Sequence, residues 1–241
     1  MNIKAECVSC MVDQIKKALL LLKPEITNDE IVGVQKDIMV KFGQLKKKPA
    51  PYHGQLIYRN VAEYLGKNDP YLPLKRKYNA LAQEMTPKLQ KIVQSAEDPL
   101  LEAVNVAILG NCVDFGTPHD LDLEREVKNA SIDNLKINHF SVLKKLMEHP
   151  NTQNVLIVGD NTGEIVFDKI MLEVLLREYP KKNFTYAVRG GPAINDATIQ
   201  DAREVGITDI CKVVEGAQCP GVILEQTTEE FKLAFSQADV I

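Results

Sequence analysis

The chain changes character after Pro150, and that change limits its fold more than any other feature. The run 154–158, NVLIV, is continuously apolar and ends in Gly159-Asp160. Unbroken apolar character over so short a run is what a strand needs when both faces are covered, as in a parallel sheet. Residues 184–188, 210–214 and 238–241 repeat the signal. Helical patterns lie between the first three, over 165–179, stopped by Pro180, and over 196–205. This alternation predicts an α/β domain over 151–241, its mainly parallel sheet connected by crossover helices. The last run stops where such a fold ordinarily continues into a ligand-binding loop, so the domain is expected to be incomplete at its C-terminal end.

Residues 1–150 read as a helical domain. Val12, Ile15, Leu19 and Leu22 recur at helical spacing, as do Ile31, Val34, Ile38 and Phe42 after a start at Thr27-Asn28-Asp29-Glu30. The segment 46–51, KKKPAP, reads as a solvated loop. Further helices are predicted over 56–65, ended by Gly66, and over 74–96 after the turn Asp69-Pro70-Tyr71. A last one opens at Asp98-Pro99, runs through Leu101, Val104 and Ile108, and stops at Gly110-Asn111. From its position, this part is expected to lie over the strand ends as a lid that contributes to the substrate site.

Several function classes fall away. Lys and Arg total 29 against 33 Asp and Glu, and a net charge of -4 argues against a nucleic-acid partner. The apolar run 18–22 is too short for a membrane span, and Lys23-Pro24 follows it instead of a cleavage site, so a cytoplasmic protein with no membrane partner is expected. Cys7 and Cys10 form a single CxxC, which supplies only two of four zinc ligands and reads as two thiols on the first turns of a buried helix. His53, His119, His139 and His149 show no HxxxH or HExxH pairing, and Ser9, Ser131 and Ser141 lack a nucleophile elbow.

Chemistry in an open α/β sheet sits beyond the carboxyl ends of the strands. The loop 159–164, GDNTGE, follows the first strand, and 189–196, RGGPAIND, follows the second. Asp160 and Asn161 offer adjacent hard oxygens, and Asp196 can approach as a third, a donor set suited to Mg²⁺, Mn²⁺ or a similar divalent ion. Arg189 has the planar fork that clamps phosphate, and the helix N-termini after both loops add amide donors. The competing explanation is structural: Asp160 and Asn195-Asp196 read equally well as caps for the helices that follow them. A third segment, Gly110-Asn111 with Asp114-Phe115-Gly116, reads by spacing as a helix end and a turn.

Together these segments resemble the damage-control phosphatase family over nearly the whole chain. The likeness is carried by Cys7-x-x-Cys10, Asp69-Pro70-Tyr71 with Lys75 and Asn79, Gly110-Asn111 with Asp114-Phe115-Gly116, Asp160-Asn161-x-Gly163-Glu164 with Asp168, and Asn195-Asp196-Ala197-Thr198. The CxxC start resembles the stand-alone prokaryotic branch. The resemblance implies a helical domain packed on a three-layer α/β/α domain with a Rossmann-like sheet. It also implies a divalent cation (Mg, Mn, Co or Ni) held by Asp160, Asn161 and Asp196, which form the catalytic group. Asn111, Asp114, Glu164, Arg189 and Asn195 are then expected to bind a small phosphorylated metabolite whose ester is hydrolysed. The family also carries a Lys- and Gly-containing phosphate loop after the strand at which this chain ends. Two other readings compete. One is an S-adenosylmethionine-dependent carboxyl methyltransferase, since 155–163 also resembles a cofactor-binding first loop. The other is a non-catalytic metal- or nucleotide-binding module.

Overall fold

In the computed structural model, residues 4–42, 49–112 and 123–241 are described. Asp114, Phe115, Gly116 and the lysines of 46–48 therefore lie outside the described residues. The helices α1 (Ala5–Leu22), α2 (Asn28–Phe42) and α3 (Ala50–Tyr64) come first. Their stripes meet in a core of their own, where Ile15, Leu19, Ile31, Ile38, Ile57 and Val61 are buried. Thr27 starts α2: its Oγ1 accepts from the Glu30 amide while Glu30 Oε2 accepts from the Thr27 amide, a reciprocal cap at the expected helix start.

Helices α4 (Leu72–Ser95), α5 (Pro99–Cys112), α6 (Leu123–Asn129) and α7 (Phe140–Glu148) pack elsewhere. Leu89, Val93, Leu100, Ala103 and Val106 join a second core with the residues of the sheet domain. The change from helix to strand falls at Pro150, as the sequence pattern places it, but α4 and α5 share the core of the residues that follow. α5 also runs through Gly110-Asn111 instead of stopping there. Gly110 is a packing residue, because a Cβ on it would lie 3.0 Å from the Phe167 side chain.

The sheet consists of β1 (Asn154–Val158), β2 (Asn183–Val188) and β3 (Lys212–Glu215), all parallel and in the order β1-β2-β3. The expected fourth strand is seen as one parallel bridge, Val155 to Val240, on the free side of β1. Helices α8 (Glu164–Glu178) and α9 (Ile199–Glu204) connect the strands, and α10 (Glu229–Gln237) follows β3. Side chains alternate as the pleat requires. Phe184, Tyr186 and Val188 join α8 and α9, whereas Leu156, Ala187 and Val214 join Phe231 of α10 on the other face. α8 is covered by the sheet on one side and by α4 and α5 on the other, which explains its nearly all-round apolar sequence. The result is the mixed α/β fold with a parallel sheet that the strand pattern predicts. No described helix is long and apolar enough to cross a membrane.

Candidate active site

The bridge to Val240 puts the spatial order at β3, β2, β1 and then the chain end, so the connections reverse direction beside β1. Asp160 leaves β1 at this switch point, where open α/β sheets place ligands. The loops after β1 and β2 are joined by backbone hydrogen bonds. The Ala197 amide donates to Asp160 O at 2.7 Å, the Thr162 amide donates to Asn195 O at 2.8 Å, and Asn161 and Asp196 form an antiparallel bridge. This short ladder brings Asp160, Asn161 and Asp196 to one place.

Neither carboxylate caps a helix. Gly163 stands at the N-terminus of α8 with no side-chain cap, and Thr198 caps α9 in a reciprocal pair with Asp201. Asp160 and Asp196 meet Arg189 instead. Its Nη2 donates to Asp160 Oδ1 at 2.9 Å, its Nη1 donates to Gly221 O at 2.5 Å, and its Nε lies 2.7 Å from Asp196 Oδ2. That last contact is an ion pair without hydrogen-bond alignment, so Asp196 Oδ2 is buried with no hydrogen bond. Burial first, then the neighbouring Asp160 carboxylate, push the Asp196 carboxyl up to about 6, while Arg189 opposes them. Asp160 is different, with half of its side chain open to solvent.

Asn161 Nδ2 faces Asp160 Oδ2 at 3.2 Å and Glu164 Oε2 at 3.3 Å, which leaves its carbonyl oxygen over for another partner. Glu164 Oε1 accepts from Asn111 Nδ2 at 3.2 Å, so α5 reaches the site through that carboxylate. A cavity of about 310 Å³ is lined by Asn111, Asn161, Glu164, Asn195, Tyr71 and Tyr78. A larger one of about 570 Å³, between α3 and the β2 loop, shares the walls Tyr71 and Ile194 but touches none of the three expected cation ligands. Ile194 holds φ at +51°, a value that a β-branched residue rarely adopts. Its side chain packs on the α1–α3 core, so the strained residue pins the loop just before Asn195-Asp196.

The donor set fits a hard cation. Two carboxylates and the side-chain amide of Asn161 come together at a strand end, with one carboxylate oxygen buried and held by an ion pair without hydrogen-bond alignment. Among the described residues no three His, Cys, Asp or Glu side chains form a metal cluster, so the amide of Asn161 is needed to complete the set. Among the described residues Cys7 and Cys10 likewise have no third ligand of these types beside them. They sit at the start of α1, Cys7 half-buried and Cys10 exposed, and Gln14 links Cys10 to Tyr58 through contacts of 3.8 and 3.1 Å.

Two expected sources of anion donors are used internally. The Gly163 amide donates to Asn79, and the Thr198 cap takes up the donors of α9. Arg189 has all three nitrogens directed at protein atoms.

A buried network lies directly beneath. Lys75 Nζ is 2.7 Å from Asp201 Oδ2 and 3.2 Å from Asp69 Oδ2, and Asn79 Nδ2 donates to Asp201 Oδ1 at 3.4 Å. Tyr186 donates to Asp168 at 2.5 Å, and burial raises the Asp168 carboxyl to about 7. The loop after β3 also contributes, since Gly221 O holds Arg189. The sequence patterns assigned none of these roles. A Lys and an Asn four apart on an otherwise core-facing helix stripe, and an Asp inside the apolar run of α8, were the available signals.

Comparison with known proteins agrees with this architecture. The model of the damage-control phosphatase ARMT1-like domain matches residues 3–241. A protein called damage-control phosphatase from Archaeoglobus fulgidus is 31% identical over the whole chain and 84% of its own length. A damage-control phosphatase of Pyrococcus horikoshii is 32% identical, with 83% of its length covered, and an uncharacterized protein of Methanocaldococcus jannaschii is 32% identical, with 80% covered. The crystal structure of a DUF89 family protein from Pyrococcus horikoshii superposes with a TM-score of 0.81 at 29% identity, covering all of this chain and 83% of that one.

Proposed function

We propose that this chain, which belongs to the damage-control phosphatase ARMT1-like family, hydrolyses phosphate esters of small metabolites with the help of a divalent cation. The observation that carries the reading is the ladder between the two strand-end loops, which gathers Asp160, Asn161 and Asp196 without using either carboxylate as a cap. Those three residues would hold the cation. When bound, it would supply positive charge to a phosphoryl oxygen and acidify a water.

The chain's own residues divide the remaining work. Asp196, buried and fixed by Arg189, is a rigid ligand. Asp160 faces solvent, so it can both bind the cation and accept a proton from the attacking water, or attack phosphorus itself. Arg189 pairs with both carboxylates and offsets their charge. Asn111, Glu164 and Asn195 line the adjoining cavity, whose 310 Å³ suits a small ester better than a polymer. Gly159 lends the methyltransferase reading no support of its own, because packing explains it. A Cβ there would lie 2.1 Å from the Tyr186 hydroxyl, so no cofactor is needed to account for the glycine.

The test is phosphate release from a panel of phosphorylated sugars and nucleotides with Mg²⁺, Mn²⁺, Co²⁺ or Ni²⁺, against EDTA. Release that disappears with EDTA and with either Asp160→Ala or Asp196→Ala is the expected result. Release that survives EDTA, or survives both substitutions, would overturn the assignment.

A further inference from the structure

One face of α4 reaches both loops of the site, the first directly and the second through Asp201 of α9. Lys75 and Asn79 are four residues apart and so stand one above the other on the helix. Both are almost fully buried, at 1% and 3% exposure. Asn79 Oδ1 accepts from the Gly163 amide at 2.8 Å, two residues beyond Asn161. Asn79 Nδ2 and Lys75 Nζ meet the two oxygens of Asp201. Asp201 Oδ2 in turn accepts from the amide and hydroxyl of Thr198, at 2.8 and 2.7 Å, two residues beyond Asp196. A continuous polar path thus runs from one strand-end loop through α4 to the other.

A buried ammonium is a poor way to stabilise a fold, since apolar side chains of similar volume usually do as well or better. What it supplies is geometry. We infer that Lys75 and Asn79 are positioning residues which clamp the loop of Asp160-Asn161 against the loop of Asp196, so that α4 sets the spacing of the cation ligands. The inference rests on the reading of those loops as the site. Neither residue need touch substrate. Another polar contact between α4 and α8, Gln90 Nε2 to Glu173 Oε2 at 3.1 Å, involves no residue of either loop and serves as the internal control.

The experiment compares the wild-type chain with Asn79→Ala, Lys75→Met and Gln90→Ala, each first shown to be folded by its urea melt. Amide hydrogen exchange is followed at Thr162 and Ala197, whose N–H groups make the cross-loop bonds, and Mn²⁺ affinity is measured by calorimetry. In Asn79→Ala and Lys75→Met, exchange at these amides should rise roughly tenfold. Mn²⁺ affinity should fall about 10- to 100-fold, as when an outer partner of a metal ligand is lost. Gln90→Ala should leave both unchanged. Either of two results overturns the clamp: unaltered exchange in both α4 variants, or an equal loss in Gln90→Ala. If one α4 variant does not fold, the other decides. A wild-type chain that takes up no Mn²⁺ refutes the metal reading instead, while the exchange rates still decide the clamp.

Discussion

Asp168→Asn isolates one buried charge and converts the structure into a pH-dependent stability. Asp168 lies on α8 with 8% exposure, and its Oδ2 accepts from Tyr186, itself buried. Burial raises its carboxyl from the usual 3.8 to about 7, against the smaller lowering effect of the Tyr186 hydrogen bond. Below pH 4 the group is neutral in both folded and unfolded chains and affects nothing. Between pH 4 and 7 the unfolded chain ionises while the native carboxyl keeps its proton, so stability falls as pH rises. Above the folded value both states are ionised, and the whole difference stands against folding. The displacement from 3.8 to about 7 corresponds to at most about 4 kcal/mol. Asparagine retains an acceptor for the tyrosine hydroxyl but does not titrate, and its leftover amide donor has a cost independent of pH. The stability of Asp168→Asn relative to wild type should therefore improve by about 2–4 kcal/mol between pH 4.5 and 8, measured by urea unfolding at both values. The other titrating groups largely cancel in the difference. A relative stability equal at the two pH values to within about 1 kcal/mol would refute the argument that burial controls this carboxyl.

The remaining predictions concern the strand ends. Asp160→Ala and Asp196→Ala should both abolish metal-dependent turnover but differ in stability. Loss of half-exposed Asp160 should cost about 1 kcal/mol or less, and loss of buried Asp196, which strands Arg189, about 3 kcal/mol or more; chemical melts of the two variants give the comparison. Gly159→Ala should destabilise by about 1–3 kcal/mol and weaken Mn²⁺ uptake, because its Cβ would meet the Tyr186 hydroxyl at 2.1 Å and displace Asp160. Urea melts and Mn²⁺ calorimetry check it; a variant as stable as wild type would show that the Tyr186 ring, whose Cζ and Cε1 would also lie 2.5 and 2.6 Å from that Cβ, can give way.

Legibility in the sequence followed the range of the interactions. The strand 154–158 and the helix after it were readable to within a residue because their apolar runs are local and are covered on both faces. The third strand was expected at 210–214 but begins at Lys212. Ile210 and Cys211 close a turn onto Ile207 O and still pack against the core, so apolar character reported burial and not strand. Gly110 misled for a related reason, since a glycine marks a helix end or a close helix contact equally well, and here Phe167 is the contact. That Asp160, Asn161 and Asp196 come together was findable because a parallel sheet aims its loops at one edge. What the pattern left open was whether they were caps, and the Thr198–Asp201 pair settles that for α9.

The clamp was beyond local reading for a different reason. Asn79 reaches partners 84 and 122 positions away, and no periodicity encodes such a pairing. A buried ion pair taken as a whole can often be exchanged for apolar side chains at no loss of stability, so the presence of this one asks what geometry it enforces. The answer depends on the division of the fold. α1–α3 keep a core to themselves, whereas α4 shares the core of the sheet domain while offering Tyr71 and Lys75 at its start. Tyr71 belongs to the α1–α3 core and also walls both cavities beside the site. α4 is therefore the element through which the packing of the N-terminal helices bears on the proposed cation ligands. Substitutions in the α1–α3 core that disturb Tyr71 should accordingly affect turnover more than their distance from Asp160 suggests, whereas equally destabilising ones at α7 should not.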